Sequence, residues 1–242
     1  MVTDSKPLNF VFFLVDDLGW TDLKTFGSSF YDTPHVDGLA RSGMKFTNAY
    51  AACPVCSPTR ASILTGKYPS RTGITDYINA GGGNQPGKWR RNTKLLPAAY
   101  KDRMAHKEVT LAEALKPAGY RTALFGKWHN GEHYPQNPNG RGFEEFIGFC
   151  AGHLGNYFSP VLEHNSGIIE TDGFITDVLT DKAMEWIEAN RDHPFFCYIP
   201  FNAPHTPFQV PDCYYEKYEA RGCDAETATI YGMVENIDDN MG

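Results

Sequence analysis

A chain of 242 residues, 41% hydrophobic and 14% aromatic, is long enough to bury a substantial core as one large domain or two small ones. Its net charge of -7 argues against a general nucleic-acid-binding surface. The longest apolar run, Phe10 to Val15, is too short to cross a bilayer, and no charged segment precedes it as in a signal peptide, so neither a membrane span nor a leader is expected.

In chain order, Asn9 to Val15 is expected to be a buried strand, bounded by Pro7 and by the pair Asp16-Asp17 at its C-terminal end. Thr33-Pro34 starts a helix that runs through Val36 to Arg41 and stops at Ser42-Gly43, and Met44 to Ala52 is a second extended segment. Ser57-Pro58-Thr59 suits a first helical turn, Ala61 to Leu64 continue it, and Gly66 ends it, which puts Cys56 at a helix N-terminus with Arg60 one turn on. Val109 to Ala118 is helical and closed by Gly119; Tyr120 to Phe125 is a strand, Ile175 to Ala189 a helix, Phe195 to Phe201 a strand. From Ala225 onward Ile230, Met233, Val234 and Ile237 mark a helix with an apolar stripe. Alternating strands and helices predict an α/β sandwich with a mostly parallel sheet and a ligand site beyond the carboxyl ends of its strands.

Six cysteines do not make a disulfide scaffold at this length. Cys53 and Cys56 form a C-x-x-C, which elsewhere marks a redox dithiol or half a zinc site, but no second C-x-x-C follows and the other cysteines lack ligand spacing. His129-x3-His133 has metal spacing on paper only, because Gly131 and Pro135 make it a loop. Basic residues cluster from Lys88 to Lys107 (Lys88, Arg90, Arg91, Lys94, Lys101, Arg103 and Lys107) with Trp89 and Tyr100 between them; a solvated loop is favoured over a subsite for an anionic polymer. No N-x-[ST] sequon is present, which favours a bacterial periplasmic or secreted protein over a glycosylated animal one.

The run C-S-P-T-R-A-S-I-L-T-G, residues 56 to 66, resembles the first signature of the type I sulfatases, and G-Y-R-T-A-L-F-G-K-W-H, residues 119 to 129, resembles the second. The resemblance implies an alkaline-phosphatase-like three-layer α/β fold and hydrolysis of sulfate monoesters. It implies that a maturation enzyme oxidises Cys56 to formylglycine, whose hydrate offers one oxygen to attack sulfur and a second whose deprotonation later expels sulfate. Lys127 then binds sulfate, His129 holds the hydrate and Arg60 supports it; a strand reaching both residues would set the Lys127 and His129 side chains on one face. Asp16 and Asp17, with the oxygen at position 56, bind a divalent cation, calcium favoured over magnesium because every donor is an oxygen.

Asn202-Ala203-Pro204-His205-Thr206-Pro207 resembles the family's A-P-H-x-P segment and makes His205 the general acid and a substrate contact. His153 is a candidate pocket residue. The implied partner is a sulfated small molecule or sulfated glycan. The family's later metal ligands and second sulfate-binding lysine have no match, and Asp238-Asp239-Asn240 lies on the terminal helix, outside that motif. Residues 1–242 are therefore expected to be an incomplete N-terminal catalytic domain, inactive alone. Rival readings are a phosphate or phosphonate monoester hydrolase of the same superfamily, and a non-catalytic fragment.

Overall fold

The computed structural model of the protein describes residues 7–78, 85, 94–95 and 98–242. Six strands form one sheet in the order β1-β6-β2-β3-β4-β5, where β1 is Phe10–Val15, β2 Arg121–Lys127, β3 Glu145–Phe149, β4 Val161–His164, β5 Gly167–Glu170 and β6 Phe195–Phe201. The pairs β1/β6, β6/β2 and β2/β3 are parallel, whereas β4 and β5 add an antiparallel hairpin.

The centre of the sheet is apolar on both faces, as a parallel sheet covered on both sides must be. Side chains alternate across it: Ala123, Phe125, Cys197, Ile199 and Phe201 join one core cluster, and Leu124, Phe196 and Tyr198 join the other. The first cluster is covered by α5 (Ile175–Ala189) and by α7 (Ala225–Met241), which contributes Met233 and Ile237. The second is covered by α2 (Cys56–Thr65), through Ala61 and Leu64, and by the short α4 (Leu111–Leu115), through Ala112. The molecule is thus a three-layer α/β/α sandwich.

Helices α1 (Pro34–Ser42), α3 (Pro69–Thr72) and α6 (Asp212–Glu219) complete the set among the described residues. No described helix is long and apolar enough to cross a membrane. Asp238 of α7 accepts hydrogen bonds from the backbone amides of His35 (2.9 Å) and Val36 (2.8 Å), so it caps the first turn of α1 from another helix.

Three sequence expectations are corrected. β1 is a half-exposed edge strand, with Phe10 and Val11 exposed, because β6 is its one strand neighbour. Residues 44–52 form no strand and are exposed throughout; among the described residues nothing pairs with their backbone. The helix expected over residues 109–118 is one α-helical turn, α4, tightened into a 3-10 turn at Lys116–Ala118 before Gly119 ends it at φ 85°.

Candidate active site

The strand order puts β6 between β1 and β2, although β6 comes last in sequence, so the segments that follow β1, β2, β3 and β6 converge at one edge of the sheet. They carry Asp16 and Asp17; Lys127 and His129; Ala151 to His153; and His205. The N-terminus of α2 meets them there. Gly126 is required in this bundle: at φ 141° an added Cβ would collide with the carbonyl of Pro200 on β6.

Cys56 is the first residue of α2, whose N-cap is Val55. Val55 offers no capping oxygen, so first-turn amides of α2 stay available to an anionic group. The Cys56 thiol is nevertheless pushed up in pKa, because burial outweighs the help of Lys127, Arg60 and the Ser57 amide. An unmodified thiol here stays protonated at neutral pH and is a poor nucleophile.

Behind Cys56 lies a buried ion cluster. Lys127 Nζ lies 2.5 Å from Asp16 Oδ2, Arg60 Nη2 lies 3.3 Å from Asp16 Oδ1, and Arg60 Nη1 donates to the Lys127 carbonyl at 2.7 Å. Lys127 and Arg60 are each 1% exposed and Asp16 6%. Burial alone would raise the Asp16 carboxyl; Arg60 and Lys127 together hold it below its ordinary value. The neighbouring Asp17 turns the other way, at φ 61° and with a side chain 58% exposed.

Both histidines have assigned edges. His129 Nε2 lies 2.7 Å from the Ile78 carbonyl and so donates to it, leaving Nδ1 a buried acceptor with no partner among the described residues. The Ile78 amide in turn donates to Ser57 Oγ at 3.0 Å, so the residue after Cys56 anchors the residue whose carbonyl holds His129. β2 ends at Lys127 and His129 follows at φ 55°, so the two-residue period of a strand does not reach His129, contrary to expectation. His205 Nδ1 donates to the Thr206 carbonyl at 2.7 Å, which leaves Nε2 turned toward Asp17 Oδ2 at 3.8 Å. The Tyr157 hydroxyl lies 2.9 Å from the carbonyls of both His205 and Thr206 and holds their turn.

His129 is 4% exposed, and burial pushes its pKa down from 6.5 to about 4. An unfolded chain takes up this proton near 6.5 and the folded chain resists until about 4, so stability should be full above 6.5 and fall as the pH drops to 4. The loss expected is on the order of 2 to 3 kcal/mol. Urea unfolding of wild type and His129→Asn at pH 7 and pH 4.5 checks this: the gap between them should shrink at the lower pH, and a constant gap would exonerate the histidine.

A cavity of about 440 Å³ joins these pieces, lined by Asp17, Cys56, His129, His153 and His205 together with Tyr77, Ile78, Glu132 and Gly152. A second space of about 490 Å³ lies behind Cys56 and is lined by Asp16, Asp17, Cys53, Thr59 and Arg60. Cys56 and Asp17 belong to both. Tyr77, Ile78 and Glu132 carry no motif, and Ile78 acts through its carbonyl, so sequence reasoning missed them. The C-x-x-C is no disulfide, since Cys53 and Cys56 are both free.

The basic cluster does not join the site as a unit. Lys88, Trp89, Arg90 and Arg91 lie outside the described residues; Lys101 donates to the Thr72 carbonyl, and Arg103 pairs with Asp102. Among the described residues, the group of acidic and imidazole donors lying within 4.8 Å of one another is His35, Asp238 and Asp239. It is not Asp16, Asp17 and Cys56. The capping of α1 by Asp238 and the bond from the Tyr214 hydroxyl to Asp239 already account for both of its carboxylates.

The sulfatase family model matches residues 8–242. The chain belongs to the sulfatase family. Similar sulfatases include N-acetylgalactosamine-6-sulfatase of Sus scrofa, 33% identical over 98% of this chain and 46% of that protein. Among solved structures, that of Ps i-CgsB in complex with k-i-k-neocarrahexaose superposes with a TM-score of 0.83 at 31% identity, over 98% of this chain and 54% of that one. A structure bound to its substrate D-glucosamine-2-N,6-O-disulfate superposes at 0.71 with 27% identity, over 89% of this chain and 38% of that one. This sulfatase chain therefore spans about half the length of the relatives it matches, or less.

Proposed function

We propose that the chain is the N-terminal catalytic part of a sulfuric ester hydrolase acting on a sulfated sugar. The observation that carries the reading is Cys56 at an uncapped helix N-terminus, facing a cavity with His129 and His205 and backed by the Asp16–Lys127–Arg60 cluster. Family membership supports the reaction, and the disulfated glucosamine bound by one structural neighbour supports the substrate class.

Formylglycine at position 56, made from Cys56 by a maturation enzyme, would supply the nucleophilic oxygen that a buried, protonated thiol does not. The unpartnered Nδ1 of His129 fits such a group, because it is a buried acceptor in need of a donor. Asp16 and Asp17 would hold a divalent cation, whose chemistry when bound is to neutralise the sulfate oxygens. Their oxygen-only donor set fits a hard cation, calcium before magnesium, and parallel calorimetric titrations with the two ions check that preference.

From the buried cluster behind Cys56, Lys127 would bind the sulfate group and Arg60 would support the hydrate at position 56. His205 delivers a proton from Nε2 to the departing alcohol, a contribution of about 10² to 10⁴ in rate. His129 accepts a proton at Nδ1 as sulfate leaves. His153, at the cavity rim, contacts the alcohol portion. We place the protein in the periplasm or outside the cell of a bacterium, a reading supported by the missing glycosylation sequon.

Rates on an aryl sulfate, an aryl phosphate and an aryl phosphonate, measured side by side with the full-length protein, test the assignment. Sulfate turnover should dominate; dominant phosphate or phosphonate turnover would replace it with the sister activity of the superfamily.

A further inference from the structure

A carboxylate stands in this anion-handling cavity with no role in the chemistry above. Glu132 lines the 440 Å³ cavity with Cys56, His129 and His205, yet lies beyond the signature motif and makes no ion pair or hydrogen bond with the other described residues. Among the described residues the lining contains two carboxylates, Asp17 and Glu132, and no lysine or arginine.

Glu132 is exposed, and the backbone on either side of it is held by contacts of its neighbours. Trp128, 1% exposed, donates through Nε1 to the Gln136 carbonyl at 2.9 Å, and the buried Asn130 accepts from the Met104 amide at 2.8 Å. Gly131 turns the chain at φ 129°, where an added Cβ would come within 2.7 Å of Gln136 Cβ and 3.2 Å of Arg103 Cβ. Glu132 thus follows a fixed glycine corner three residues after His129. Gly152 also lines the cavity, and a Cβ there would lie 2.7 Å from the His129 ring.

Tyr77, Glu132 and His153 line the same cavity and are what it offers to the alcohol portion of a substrate whose sulfate group is at Cys56 and whose ester oxygen is at His205. We infer that Glu132 is a specificity-determining residue, accepting a hydrogen bond from a hydroxyl on the sulfated ring and repelling a ring that carries a second sulfate or a carboxylate on that side. The inference rests on the sulfatase reading and narrows it to a neutral, hydroxyl-bearing monosulfated sugar. A hydrogen bond to a charged group, or a like-charge contact near a protein surface, changes relative rates by about tenfold or more.

The test uses the full-length matured protein and its Glu132→Gln variant on 4-nitrophenyl sulfate, a panel of neutral sugar monosulfates, and their disulfated counterparts. The expected result has three parts: wild type prefers a monosulfate over its disulfate. In the variant, kcat/KM on that monosulfate relative to the aryl ester falls about tenfold, mainly through KM. The penalty for the second sulfate shrinks. Equal scaling of all three rates, or a wild-type preference for the disulfated sugars, would overturn the role of Glu132 while leaving the sulfatase reading in place. No turnover of any sulfate ester, the aryl one included, would remove that reading and the inference with it.

Discussion

Replacing Asp16 with alanine should lower the stability of the folded chain by about 3 to 5 kcal/mol, because it strands two buried cations together. Lys127 and Arg60 are almost wholly shielded from water, and Asp16 is the carboxylate that faces both. Against a typical domain stability of about 5 to 15 kcal/mol, that loss removes from about a fifth to all of the margin. Asp17→Asn supplies the contrast. The adjacent carboxylate is mostly exposed, and asparagine tolerates its left-handed backbone, so the cost there should be within about 0.5 kcal/mol. Urea unfolding of the three chains decides; equal effects for the two aspartates would mean that Asp16 is not the keystone of a buried cluster.

The second large effect is on rate. Cys56→Ala should reduce sulfate ester hydrolysis by the full-length protein by at least about 10³-fold, since a missing nucleophile leaves only binding and electrostatics to act. The fold should survive, because Cys56 is at the start of α2, is only partly buried and makes no disulfide. A near-wild-type thermal midpoint with near-zero turnover is the expected pair of readings. Retained turnover would move the nucleophile elsewhere in the cavity.

Several elements of the fold were legible in the sequence for identifiable reasons. Helix α5 and strand β6 are found at the expected residues, Ile175–Ala189 and Phe195–Phe201, because each is long, strongly patterned and buried in the sheet's core. The start of α2 was legible from its turn chemistry and its closing Gly66, which adopts φ 66°. Strands β4 and β5 were not: each has four residues, VLEH and GIIE, and three of the four in β5 are exposed, so neither alternates as a core strand does. Residues 44–52 failed in the opposite sense. Their apolar residues read as a strand, but strand formation is a pairing event, and composition says nothing about whether a partner lies alongside.

The site divides in the same way. Asp16, Asp17, Cys56, Arg60, Lys127, His129 and His205 stand in short motifs, and the fold draws them to one sheet edge. What the motifs could not express is contact between distant backbones. The Ser57–Ile78–His129 link runs through the backbone amide and carbonyl of Ile78, and Glu132 follows a glycine corner packed against Gln136 and Arg103. The opposite settings of Asp16 and Asp17 are likewise tertiary: one faces Lys127 and Arg60, the other faces His205.

In the proposed mechanism residue 56 acts as an aldehyde-derived oxygen nucleophile and not as a thiol. The mass of the peptide spanning position 56, taken from an active preparation of the full-length protein, tests it most directly. Conversion of CH2SH to CHO lowers that mass by about 18 Da and leaves one thiol to alkylate, that of Cys53, in place of two, and the converted fraction should track turnover of an aryl sulfate from one preparation to the next. A fully active preparation in which the peptide keeps an unmodified, alkylatable Cys56 would contradict the account.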